Sequence, residues 1–244
     1  MNHIVVVADG EAISGSDLVN LLRRGGQINA LLREWMLEHV LRDVELEPGT
    51  EDQLIAELRQ NQGLTSDEAF ANFLHDRQLT ESLLRQSLSR PHKVVLYREE
   101  RWGPRANSLY LQHKDNYDQI SYRKLHSGDA DVMQEVYFRL KDGEETWESL
   151  ARQFQPSNPS ANALQGPIAV SAVEPELLQE LRRAGPGKLL KPLRLGQEIV
   201  VAQLEEVHPA EFNEELRTLL LRDAFDAWIA EECSRMLTRL EFPQ

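Results

Sequence analysis

A chain of 244 residues is long enough for more than one folded unit, and 41% hydrophobic with 27% charged residues excludes disordered and membrane-embedded compositions. A formal net charge of -13, with no Lys/Arg-rich face interleaved with aromatics, excludes nucleic acid as an expected partner. The one cysteine, Cys233, permits neither a disulfide framework nor a thiolate metal cage and reads as a small packed apolar side chain.

The apolar run Ile4 to Ala8 lacks a basic flank and is too short for a signal peptide, and no later stretch reaches the ~18 to 20 apolar residues of a span. The expectation is a cytoplasmic protein without membrane insertion. Residues 4 to 13 read as two short strands around Asp9-Gly10, a pair that supplies the positive φ of a tight hairpin. Ser14 or Ser16 then caps a helix carrying Leu18, Leu21 and Leu22, which Gly25-Gly26 ends. From Gln27 to Val44 the positions Ile28, Leu31, Leu32, Trp35, Met36, His39 and Val40 recur at helical steps and predict one buried stripe. Thr50 with Gln53 and Thr65 with Glu68 predict capping boxes for two further helices. Thr80 starts another helix, interrupted or kinked at Pro91, and one or two more are predicted between His92 and Tyr117, separated by Gly103-Pro104.

The pattern changes near residue 119. Ile120 to Leu125 predicts a strand, Ala130 to Leu140 and Trp147 to Phe154 helices, and Gln155 to Gly166 a long loop rich in Pro, Ser, Asn and Gly. Ile168 to Val170, a helix from Pro175 to Ala184, and strand-like runs Leu189 to Leu195 and Glu198 to Val207 follow. A final amphipathic helix, Asn213 to Leu240, carries Leu216, Leu219, Leu220, Phe225, Trp228, Ile229 and Met236. Trp35 and Trp228 are expected to form the seam between the N-terminal helices and this last helix.

The seven histidines have no metal spacing, so no metal and no cofactor are expected. The acidic pairs Asp223/Asp226 and Glu231/Glu232 sit on an amphipathic helix and read as a solvated face rather than as catalytic carboxylates. No phosphate loop, nucleophile elbow or redox Cys-x-x-Cys occurs.

The order strand, helix, helix, loop, helix, strand, strand between residues 119 and 207 resembles that of parvulin-type peptidyl-prolyl isomerases. Specific blocks carry the resemblance: Arg139 to Glu144, Trp147 to Phe154, Pro175 to Leu178, Gly185 to Lys188, Lys191 to Leu193 and Gly196 to Val200. The opening Ala8-Asp-Gly-Glu-Ala-Ile-Ser14 resembles the start of the SurA-like and PrsA-like chaperones. The resemblance implies an α+β protein: a helical arm over residues 1–118, a parvulin-like domain over 119–207 with a small antiparallel sheet and flanking helices, and a C-terminal helix over 208–244 that packs back on the arm.

It also implies positions for a site. The first-strand histidine position falls on Tyr122 to Lys124, with His126 the nearest histidine; the acid or thiol position falls on Ser157 or Asn158; the second histidine has become Glu198. The glycine pair of the loop-closing turn is replaced in Asn162-Ala-Leu-Gln-Gly166. Substrate-binding positions fall on Gln165, Val173, Leu177 and Leu195, of which Val173 and Leu177 read equally well as ordinary core residues.

Three functions are then expected in competition. One is an isomerase acting weakly on unfolded, exported or proline-containing polypeptides. The second is a chaperone-like module that binds such chains without turnover, and the third an adaptor for an export machine.

Overall fold

The computed structural model describes residues 4–154 and 163–241. These divide into two units, one running through Ala106 and resuming at Thr218, the other Asn107–Arg217.

The first unit opens with antiparallel strands β1 (Ile4–Ala8) and β2 (Glu11–Ser14), turned by Asp9 and Gly10 at φ 50 and 82. Of the two serines, Ser14 caps α1 (Gly15–Arg24): its Oγ accepts from the Asp17 N–H and the Asp17 carboxylate accepts from the Ser14 N–H, both at 3.2 Å. Helix α2 (Ile28–Leu41) buries Leu32, Met36, Leu37 and Leu41. That stripe is rotated from the expected one, and Leu31, Trp35 and His39 face outward. Trp35 is 54% exposed and stacks on His39 at 5.3 Å, an i,i+4 pair on the helix surface.

Helix α3 (Thr50–Asn61) starts directly after Gly49 at φ 87 and has no side-chain cap. Thr50 already lies inside the helix, so the expected box with Gln53 does not form. Helix α4 (Asp67–Asp76) is capped by Ser66, whose Oγ accepts from the Ala69 N–H at 3.1 Å, one residue beyond the expected Thr65. Ile55, Phe70 and Leu84 join α3, α4 and α5 (Glu81–Trp102) in a small core.

Helix α5 runs through Pro91 without interruption. An interior proline costs about 3 kcal/mol or more through a lost hydrogen bond and a ring clash. Anchoring on both sides offsets it: Arg90 pairs with Glu34 and Glu38 of α2 at 2.7 and 3.1 Å, and Ser89 and Trp102 are buried.

The C-terminal helix α10 (Glu214–Leu237) begins at a cap in which Asn213 Oδ1 accepts from the Leu216 N–H at 2.8 Å. Within the first unit it packs on the arm. Phe225 and Trp228 meet Trp102 at ring separations of 6.0 and 5.8 Å, with Tyr97 at 6.0 and 5.9 Å from the same two rings. Arg98 and Arg101 cover the Phe225 and Trp228 faces at 4.8 and 4.3 Å, and Arg33 pairs with Asp226 at 3.0 Å. The seam therefore uses Trp228 as expected, but Trp102 in place of Trp35. The physical reason is the rotation of the α2 stripe.

In the second unit, α6 (Ala106–His113) leads to β3 (Gln119–Ser127), α7 (Ala130–Lys141), α8 (Trp147–Phe154), β4 (Leu164–Ala169), α9 (Pro175–Ala184), β5 (Leu193–Leu195) and β6 (Glu198–His208). The sheet order is β4-β3-β6-β5 with every neighbour antiparallel. The run expected as one strand from Leu189 shortens to β5 plus a single bridge between Leu189 and Gln203. One face of the sheet packs Ile120, Tyr122, Val200, Ala202 and Leu204 against Val173, Leu177 and Leu181. The other packs Leu125, Ile199 and Val201 against Met133, Val136, Trp147 and Leu150. No described helix is long and apolar enough to cross a membrane.

Trp102 is 6% exposed and Trp35 is largely outside the core. Trp102→Ala is expected to destabilise the first unit by about 3 to 5 kcal/mol, and Trp35→Ala by less than about 1 kcal/mol, in urea unfolding of the full chain.

Candidate functional site

Strand β3 alternates its side chains, so Ile120, Tyr122, Lys124 and His126 share the α9-facing side of the sheet. The antiparallel register brings β6 beside it, from Gln119 opposite His208 to Ser127 opposite Ile199. On the other side Tyr122 stands opposite Gln165 of β4. Every described candidate position therefore lies on this face or at its border. Ser157 and Asn158 lie outside the described residues.

Three polar side chains of β3 each find a partner. The Tyr122 hydroxyl donates to Gln165 Oε1 at 2.7 Å, Lys124 Nζ lies 3.3 Å from Glu174 Oε1, and His126 Nδ1 lies 3.1 Å from Glu198 Oε1. Burial, and secondarily the Glu174 carboxylate, push the Tyr122 phenol up to about 12. It is a neutral hydroxyl over the ordinary pH range, with its proton committed to Gln165. Glu174 is held below the usual carboxylate range, first by its own backbone N–H and then by Lys124, against a burial effect that raises it.

Glu174 was not among the sequence-predicted site residues. It precedes Pro175, which occupies the first turn of α9, and an acidic residue there complements the positive end of a helix. That local signal identifies a helix start but not the reach of Lys124 across from β3.

The close approach of β4 to β3 explains the glycine that survives. Gly166 has φ 112, and a Cβ there would stand 2.4 Å from the Ile120 carbonyl oxygen and 2.8 Å from the Ser121 Cα. Only glycine fits this approach of β4 to β3. Ala163, the residue before β4, takes φ 58 and buries its methyl group in the core on the α7 and α8 side. Its carbonyl oxygen accepts from the Lys124 N–H at 3.0 Å.

The four positions expected to bind substrate are not equivalent. Leu177 is 0% and Val173 4% exposed, both inside the core under α9, whereas Gln165 and Leu195 are partly exposed. Gln165 and Leu195 stand on the two edge strands of the sheet, and Val173 and Leu177 are sealed in the core between the sheet and α9. On the opposite face Arg123 bridges Glu148 at 2.7 Å and Glu205 at 3.0 Å. Arg123 holds the Glu148 carboxyl below its usual range and ties α8 to the sheet.

No family model matches this sequence, and no curated protein matches it. Among solved structures, the peptidylprolyl isomerase PrsA from Bacillus cereus superposes with a TM-score of 0.57 at 16% identity, covering 100% of this chain and 94% of that one. PrsA from Bacillus anthracis gives a TM-score of 0.47 at 13% identity over 88% of this chain and 100% of its own. The first of these establishes the fold: a PrsA-like α+β architecture at low sequence identity.

Two outcomes check this geometry. Leu177→Asp places a charge in a closed core and is expected to unfold the second unit rather than to act on a ligand alone, seen as lost cooperativity in urea with far-UV circular dichroism. The Tyr122 phenol has a higher pKa folded than unfolded, so its contribution to stability is full below about pH 10 and declines as pH rises toward about 12. Tyr122→Phe is expected to remove that component of the decline in chemical-denaturation stability between about pH 10 and about pH 12, and to cost about 1 kcal/mol at pH 7 through the lost hydrogen bond.

Proposed function

We propose that this chain is a divergent relative of the parvulin-type foldases that binds unfolded or proline-containing polypeptides and turns them over weakly. The fold shared with the Bacillus cereus PrsA over nearly the whole of both chains supports the general class. The observation that carries the emphasis on binding is the pairing of the β3 polar side chains with Gln165, Glu174 and Glu198.

Rotation about an X-Pro bond meets a barrier of ~18 to 20 kcal/mol from amide resonance. A catalyst lowers it by seating the proline ring in an apolar environment and by holding polar groups against the twisted amide more strongly than against either planar form. In this chain Tyr122, Lys124 and Glu198 stand at the polar positions implied by the resemblance, and each is engaged by a neighbour. Engaging a substrate carbonyl would mean exchanging those partners. That exchange reduces the net gain in the transition state, whereas apolar contact at the partly exposed Leu195 needs no such exchange.

A second reading is a module that binds such chains with no turnover, including one that passes them to an export machine. The same pairing favours it, and rate separates the two. With a panel of proline tetrapeptides, isomerisation is expected about 10²- to 10³-fold below that of an intact parvulin site, the usual effect of losing preorganised polar groups. A peptide array run alongside is expected to retain binding, weakened about tenfold by Leu195→Asp, a loss near 1.4 kcal/mol. Turnover at the rate of an intact parvulin site would overturn the reading, and unchanged binding by Leu195→Asp would move the peptide away from this face.

A further inference from the structure

Helix α1 and the hairpin before it have the least internal cover in the first unit. Among the described residues α1 buries no side chain, and Val7 of β1 and Leu21 of α1 are 64% and 48% exposed. A two-stranded sheet also leaves both outer edges without a neighbouring strand.

Between β2 and α1 lies a groove of about 770 Å³. Ala12 and Ile13 line its strand side, and Asp17, Asn20, Leu21 and Arg24 line its helix side. The helix residues recur at i, i+3, i+4 and i+7, so a single face of α1 forms that wall. Successive strand residues point to opposite faces of a sheet, so a groove lined by both Ala12 and Ile13 runs along the edge of β2 and not over one face of the hairpin. The turn decides what this edge presents. Asp9 and Gly10 form a two-residue loop with both φ positive, which makes Ala8 and Glu11 the hydrogen-bonded closing pair. Val7 and Ala12 are then a non-hydrogen-bonded pair, and the Ala12 N–H and C=O point away from β1 into the groove.

The four-stranded sheet of the second unit guards its own edges. Its edge strand β4 contains Pro167, and the opposite edge strand β5 is only three residues long. Strand β2, Glu-Ala-Ile-Ser, carries neither proline nor lysine and faces a helix across an open groove.

We propose that an extended polypeptide segment adds to β2 as a third strand, lying in the groove between the strand edge and α1. Strand addition beside a helix uses backbone hydrogen bonds for affinity and the flanking side chains for selection. Here Ala12 supplies the backbone donor and acceptor, and Ile13 and Leu21 meet apolar side chains of the segment. The Asp17 carboxylate is turned to Ser14, whose hydroxyl and N–H it accepts from at 2.6 and 3.2 Å. The far end of the helix wall is therefore cationic, with Arg23 and Arg24, and favours an acidic residue in the segment. A second copy of this chain fits less well. Pairing β2 with β2 would bring two copies of α1 to one groove, and pairing β2 with β1 is a heterologous contact that gives no closed dimer. The ligand class rests on the reading of this chain as a binder of unfolded polypeptides, but the groove is separate from the sheet face of the second unit.

The test uses the full chain and a fluorescein-labelled, proline-free heptapeptide of alternating Thr and Val ending in Glu, followed by fluorescence anisotropy. Saturable binding is expected, weakened at least about tenfold by Leu21→Asp and to a similar degree by N-methylation of alternate peptide residues. Leu195→Asp, on the second unit, is expected to leave it unchanged. Amide hydrogen exchange at Ala12 is expected to slow when peptide is present, a readout that needs no variant. Undiminished binding by Leu21→Asp or by the methylated peptide, or unchanged Ala12 exchange, would overturn the groove. Loss on Leu195→Asp alone would also overturn it while keeping polypeptide binding on the sheet face, whereas no binding here or on the peptide array would remove both readings. Slowed Ala12 exchange that grows with protein concentration in the absence of peptide would identify a second copy as the occupant and overturn the proposal.

Discussion

The antiparallel ladder between β3 and β6 is the constraint on which the second unit depends. It joins residues about 80 positions apart in sequence, so it forms only when the helices and loop between them have been accommodated. Once in register, it assigns each side chain to a face. Ile120, Tyr122, Val200 and Ala202 enter one core, and Leu125, Ile199 and Val201 the other. A slip of one residue would exchange the two sets. Gly166 extends the same constraint to β4, because the backbone of that strand comes too close to Ile120 for any side chain.

The ladder also determines the chemistry of the sheet face. His126 meets Glu198 because β3 and β6 run antiparallel with those ends adjacent, and Lys124 meets Glu174 because α9 starts against the same face. These are mostly exposed or half-exposed pairs, whose energetic worth is modest. Their consequence is occupancy: the Tyr122 hydroxyl, Lys124 and His126 already have partners.

The first unit is organised differently, around rings rather than a ladder. Tyr97, Trp102, Phe225 and Trp228 bring together two helices more than 100 residues apart in the chain, and Arg98 and Arg101 cover two of those rings. Large aromatic side chains supply much contact area for few ordered groups, which suits long helices with few buried residues. The same unit tolerates Pro91 inside α5, since ion pairs and buried side chains anchor the helix on both sides of it.

Much of this was legible in the residues alone. Period-2 and period-3.6 patterns located the hairpin, α8, α9 and β6, and the block order pointed to the α+β architecture with a small antiparallel sheet. Local capping chemistry was less decisive. Ser14 formed its box with Asp17, but Gly49 and Ser66 took the cap positions expected of Thr50 and Thr65, because adjacent residues with similar propensity compete for one helix start. The rotation of α2, which exposes Trp35 and leaves Trp102 in the seam, depended on which neighbours surround the helix. The candidate site divides in the same way. Motif order placed Tyr122, Lys124, Gln165, Val173, Leu177, Leu195 and Glu198 near one another in expectation. Only packing distinguished a partly exposed Leu195 from a sealed Leu177 and drew Glu174 to Lys124. Sequence determines periodicity and local preference through interactions a few residues apart, whereas burial and the pairing of distant side chains arise from contacts that exist only once the chain has folded.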